Sequence, residues 1–329
     1  MSPTLKITTR RSANPSSLFV IGLDQVALPR IVGKGDRFLD KYYITNDFSF
    51  VKQLIDHIRF YMGTLEYGFL TGKCAAVIYR ADELSDDDFS AAVDSADARI
   101  MDCVNTVTSL LYQMWIFKDN AASSDRGWLY LSRKSEGMCH SNYNLGRNSC
   151  ANGKKTVVAF NAEELKNLRL ASTALGIPKI ASQNTTALSH ETSKYERFTL
   201  FLQAARENTD LGIKVSQYIT ALEALVSTSS SELSHQVAER VACLITERGQ
   251  ARVDVYRKLK GAYNFRSKVV HGDTINTKQF EKLTDCSEFL DQACRAVLFK
   301  FVMNSDTFRD AAGNPQLMDE FFLKRLMGD

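Results

Sequence analysis

The sequence has no apolar run near the ~18–20 residues that a membrane helix requires, and it has no C-x-x-C pair. Its seven cysteines (74, 103, 139, 150, 243, 286 and 294) are scattered and odd in number. That argues against a disulfide framework and against a zinc ribbon, and thiols left reduced point to a cytoplasmic setting. Residues 17–28 begin apolar, but Asp24 interrupts them and neither a basic leader nor a small-residue cleavage site frames them. No signal peptide is therefore expected. No repeat of 20–50 residues is visible. A charge imbalance is lacking as well: 41 Lys and Arg against 38 Asp and Glu leave a formal +3. Total charge therefore says little about partners.

What is there describes a globular chain. Of 329 residues, 44% are hydrophobic and 24% charged, ordinary for a folded protein with a real core, and the length suggests two domains. The charges are unevenly placed. Residues 81–102 hold Asp82, Glu83, Asp86, Asp87, Asp88, Asp94, Asp97 and Asp102 against Arg99 alone, a net −7. Residues 231–270 hold Arg240, Arg248, Arg252, Arg257, Lys258, Lys260, Arg266 and Lys268 against four acids, a net +4. Either these are two solvated helix faces or the later segment is a polyanion site.

The first half mixes signals. Strand-like runs occur at 18–23, 75–79, 128–131 and 156–160. A helix is expected after Asn46 as N-cap, carrying Phe50, Leu54, Ile55 and Ile58 and ending near Gly63. Another follows the acidic start at Asp86–Asp88 and carries Ile100, Val104, Val107, Leu111 and Met114. Residues 119–156, rich in Ser, Asn and Gly, are expected to be mostly loop. From Asn161, a candidate cap, the pattern turns helical up to Gly176 and Pro178, and 181–186 is a linker candidate. Amphipathic helices are then expected over 189–208, 212–226, 232–248, 252–270 and 277–303, the third opened by a Ser229/Glu232 capping box and closed at Gly249. The expected class is α+β, mainly α: a mixed domain over 1–185, a helical bundle over 186–305 and a tail over 306–329. Phe321 and Phe322 of the tail either dock on a neighbouring surface or simply end the fold.

Several motifs carry no chemistry. In Gly153-Lys154-Lys155-Thr156 the second lysine stands where a phosphate loop needs Ser or Thr, and Gly146 is too far upstream. Asn184-Thr185-Thr186 is a sequon without a secretion signal. His57, His140 and His190 lack partners at metal-ligand spacing.

Arg266 and His271 are different: they enclose four residues, R-x4-H, at the end of a long amphipathic pattern, followed by Gly272. On an ideal helix five steps separate the two side chains by about 140°. They therefore converge only if the helix loosens near His271, and Gly272 is well suited to such an end. An imidazole titrates near neutrality and a guanidinium stays cationic. Together they are a proton-transfer group and a phosphate clamp, the minimum for metal-independent RNA cleavage by the 2′-hydroxyl. The competing explanation is a helix-terminal histidine that satisfies carbonyls and the helix dipole.

The surrounding sequence is more specific. Ala221-Leu222-Glu223-Ala224-Leu225, then Glu232-Leu233-Ser234-His235-Gln236-Val237-Ala238-Glu239-Arg240-Val241-Ala242, then Arg266-Ser267-Lys268-Val269-Val270-His271-Gly272, resemble in this order an ApeA-like member of the HEPN superfamily over residues ~190–305. The resemblance implies a helical bundle that forms a homodimer whose paired motifs build one composite cleft. It implies a metal-independent endoribonuclease without cofactor, of the kind found in toxin and antiviral defence systems, with Arg266 and His271 as catalytic pair and RNA as partner. Ser267 follows the arginine where many members carry Asn, Asp or His, and it can still donate a hydrogen bond. A catalytically inactive module for dimerisation and for RNA or protein binding is the alternative. Glu223 either orients Arg266 or is an ordinary exposed glutamate. Arg240 and Lys268 either contact RNA phosphates or are solvated charges. Tyr263 either stacks a base or, as its place in the apolar stripe favours, belongs to the core. His235 has no clear partner. The first half, with no catalytic constellation of its own, is expected to sense, restrain or direct the nuclease through a regulatory protein or a phage-derived trigger.

Overall fold

Val20, at the middle of the first strand, pairs with Tyr79 on one side and Trp128 on the other, and the sheet grows outward from there. The computed structural model describes residues 16–37, 41–134, 136–143, 147–174, 186–303 and 307–328. The chain is α+β and mainly helical. It divides into two compact units: Met1–Leu111, Ala122–Arg147 and Val157–Thr173 in the first, Tyr112–Ala121, Asn148–Thr156 and Ala174–Asp329 in the second.

In the first unit β1 (Ser16–Asp24), β2 (Val26–Ala27), β3 (Asp36–Arg37), β4 (Tyr43–Thr45), β5 (Ala76–Glu83), β6 (Ser123–Arg133), β7 (Glu136–Tyr143) and β8 (Val158–Ala159) supply the strands. Six form an antiparallel sheet in the order β3-β4-β5-β1-β6-β7, while β2 and β8 pair in parallel. The helices are α1 (Phe48–Ile55), α2 (Arg59–Met62), α3 (Thr64–Gly68), α4 (Asp86–Asp94), α5 (Ala96–Phe117, its last turns in the second unit) and α6 (Ala162–Ala174). Val51, Ile55, Ile58 and Met62 cover Leu18, Val20, Val77 and Trp128 on one face of the sheet.

Three expectations change here. Asp47, not Asn46, caps α1 through Ser49 and Phe50; Asn46 instead accepts from Ile31 and donates to the Pro29 carbonyl. The acidic helix is two helices, because Ser85 caps α4 and the chain breaks at Ser95. The Ser-rich stretch expected as loop contains the β6–β7 hairpin, with Ser123 and Ser124 buried, because cross-strand pairing with β1 outweighs weak local strand preference. The Asn161 cap is present as a reciprocal pair with Glu164. The linker candidate lies, except for Thr186, outside the described residues.

The second unit contains α7 (Lys194–Glu207), α8 (Leu211–Val226), α9 (Leu233–Ile245), α10 (Gln250–His271), α11 (Thr277–Glu281), α12 (Leu283–Met303), α13 (Phe308–Ala312) and α14 (Pro315–Met327). A capping box at Ser193 and Glu196 starts α7 later than expected. The expected Ser229/Glu232 box is absent: Glu232 is itself the N-cap residue, at a left-handed φ of 49°, and makes no capping bond. The last expected helix is interrupted at Lys282, where α12 follows α11. One core joins Phe198, Tyr218, Leu222, Val241, Leu259, Leu290 and Val297. The tail belongs to it: Phe308, Met318 and Phe322 are buried, and Phe308 stacks on Phe321. Among the described residues no helix is long and apolar enough to cross a membrane.

Candidate active site

The apolar residues of α8 place Glu223 opposite α10. Its carboxylate accepts a long hydrogen bond from the Tyr263 hydroxyl (3.4 Å) and lies 3.6 Å from the Arg266 guanidinium. The guanidinium in turn sits 5.4 Å from the centre of the Tyr263 ring, a distance at which a cation is attracted to the aromatic face. Side-chain exposures of 25% for Arg266 and 18% for Glu223 leave the pair at the edge of solvent. The Arg266 Nε is buried without an acceptor. Burial, followed by the Glu223 charge, raises the Tyr263 phenol above its ordinary value. Tyr263 therefore serves two purposes: its ring packs on the core and its hydroxyl faces the motif. The apolar stripe in the sequence reveals the first and conceals the second.

His271 is the last residue of α10 and is exposed. Gly272, at a φ of 73°, closes the helix, its N–H bonded to the Lys268 and Val269 carbonyls. A left-handed residue there costs glycine nothing. The helix holds to His271 without loosening, so the imidazole leaves the axis about 140° from the guanidinium. Among the described residues no hydrogen bond or ion pair joins Arg266 to His271 within one chain. Lys268 donates to Gln279 (3.0 Å), and Ser267 is partly exposed on the same helix.

Arg240 is not free for a phosphate. It is buried, donates to the Val226 carbonyl (2.7 Å), pairs with Asp319 of α14 and covers the Phe322 ring. Its charge holds the C-terminal helix to the end of α8, a role that only the folded tail makes visible. His235 does have partners: its Nδ1 lies 2.9 Å from the Tyr256 hydroxyl and its Nε2 lies 3.5 Å from Glu239.

One polar cluster escaped the sequence altogether. Asp291, fully buried in α12, accepts from Trp115 (2.7 Å), Tyr218 (2.9 Å) and Arg295 (2.9 Å). Nearby Lys214, also fully buried, donates to Ser149 (3.0 Å) and the Ala205 carbonyl (2.8 Å). The available signal was a charge inside an apolar stripe, as at Glu223. Among the described residues no group of three or more His, Cys, Asp or Glu is placed to hold a metal ion. A shallow hollow beside Phe89, Val93, Arg133 and Met138 lies in the sheet unit and contains none of the predicted residues.

No family model, curated protein or solved structure matches the chain.

Proposed function

We propose that this chain is a HEPN-superfamily endoribonuclease that cleaves RNA without a metal ion, as a homodimer, in a toxin or antiviral defence role. The supporting observation is the contrast at the end of α10: the partly exposed Arg266 guanidinium lies 3.6 Å from Glu223 and beside the Tyr263 ring, while His271 stands exposed at a glycine-closed terminus. Both groups are accessible, and their separation around the axis calls for a second copy to complete the cleft. The 2′-hydroxyl oxygen attacks phosphorus as its proton passes to an imidazole. The bond to the 5′-oxygen breaks, that oxygen takes a proton, and the guanidinium stabilises the phosphorane oxygens. The products are a 2′,3′-cyclic phosphate and a 5′-hydroxyl.

The test is cleavage of single-stranded RNA in EDTA by the full chain and by Arg266→Ala and His271→Ala. Cleavage that survives chelation, leaves cyclic ends and vanishes in both variants supports the enzyme; equal degradation by all three rejects it. The separation of the pair within one chain also favours a second reading, a silent RNA- or protein-binding module, which predicts retention of RNA with no cleavage. A strict monomer in light scattering would remove the composite cleft.

A further inference from the structure

From Val255 to His271 the sequence carries Arg257, Lys258, Lys260, Arg266 and Lys268 and not one Asp or Glu. All of these residues lie on α10, so their positions around the axis follow from helix geometry. Measured from Tyr256, Ser267, Lys260, His271, Asn264 and Lys268 fall at about 20°, 40°, 60°, 80° and 120°. The core-facing Leu259 and Ala262, with Arg266, lie on the far side at about 300°, 240° and 280°. The burial agrees: Asn264 and His271 are exposed, Lys260, Ser267 and Lys268 are partly exposed, and Leu259 and Ala262 are buried.

The two lysines of this stripe bond only to neutral acceptors, Lys260 to the Ser234 hydroxyl (2.7 Å) and Lys268 to Gln279 (3.0 Å). Among the described residues neither forms an ion pair. Beyond Lys260 the pattern ends, because Arg257 is paired with Asp254 at 3.8 Å and Glu239 stands beside His235. Lys260 and His271 are about 17 Å apart along the axis, more than a dinucleotide spans. Between them the stripe shows Asn264 and Ser267 and no aromatic or large aliphatic anchor of the sort that dominates protein–protein binding.

We propose that this stripe is a binding track for single-stranded RNA, with Lys260 and Lys268 on two separate phosphates of one strand and Asn264 and Ser267 as hydrogen-bonding groups between them, leading the strand to His271. It rests on the nuclease reading for its direction, not for its existence.

The experiment measures anisotropy of a labelled 12-nucleotide 2′-O-methyl RNA, which lacks the attacking hydroxyl, with the full-length protein over a salt series. Lys260→Gln/Lys268→Gln is expected to weaken binding about tenfold or more and to flatten the slope of log K against log salt by about 1.4, two phosphate contacts at ~0.7 each. Lys260→Arg/Lys268→Arg restores both, and Lys258→Gln, off the stripe, changes neither. Unchanged affinity and slope in the double Gln variant, or equal losses with Lys258→Gln, overturn the track. So does displacement of the RNA by poly-glutamate at equal charge, which assigns the stripe to an acidic protein. Binding with this dependence from a protein that cleaves nothing upholds the track and rejects the nuclease.

Discussion

Asp291 and Glu223 are both carboxylates approached by a tyrosine and an arginine, and they differ in how fully they are satisfied. Asp291 is fully buried and accepts three bonds of 2.7–2.9 Å, from Trp115, Tyr218 and Arg295. Glu223 keeps 18% exposure, with contacts at 3.4 and 3.6 Å. The first arrangement has no capacity for a ligand and fixes structure: Trp115 comes from the end of α5, and Asp291 ties it to α8 and α12. The second has longer contacts and partial exposure, as a site that must rearrange around a phosphate needs.

The largest effect is expected where satisfaction is complete. Asp291→Ala strands the buried donors of Trp115 and Tyr218 and the partly buried Arg295, and should cost about 3–5 kcal/mol, read as a fall in the urea midpoint. A loss under 1 kcal/mol would erase the distinction. His271→Ala should leave unfolding nearly unchanged, since an exposed terminal histidine contributes about 0.3–1 kcal/mol, while proposed RNA cleavage falls about 10²–10⁴-fold. Equal damage to stability and cleavage would make it a structural residue.

Lys214 sharpens the contrast through pH. Burial, and next the Arg206 guanidinium, lowers its ammonium from 10.5 to about 8, against the opposing pull of Asp291, Asp119 and Cys150. Between those values the unfolded chain binds more protons, so stability should rise with pH from about 8 to about 10.5, by about 3 kcal/mol for this group. Below pH 8 the full penalty of the buried charge is present. Urea melts of Lys214→Met should show a flatter rise than the parent over that window; parallel curves would exclude the linkage. The smallest effect belongs to Glu223→Gln: under about 1 kcal/mol of stability for a partly exposed pair with long contacts, with a modest fall in cleavage. A large loss of stability there would mean that the two carboxylates are alike.

The legible parts of this protein are those whose causes are near in sequence. Asn161 and Glu164 cap α6 three residues apart, Gly272 ends α10, and branched and aromatic residues mark β1, β5 and β6. The R-x4-H spacing announces its own 140° separation. The helix break at Lys282 and the start of α9 at Glu232 were less visible, since short polar stretches satisfy several local geometries almost equally.

By itself the sequence determined the α+β, mainly helical composition, the course of α10 and the position of Arg266 and His271 on it, because a helix converts spacing directly into angle and rise. Only the tertiary structure decided that Arg240 holds α14, that Asp291 gathers Trp115 from 176 residues away, and that Tyr263 turns its hydroxyl to Glu223. Those outcomes depend on which buried polar groups meet across the core, and an unmet buried polar group is costly enough to choose among packings that local preference leaves equal.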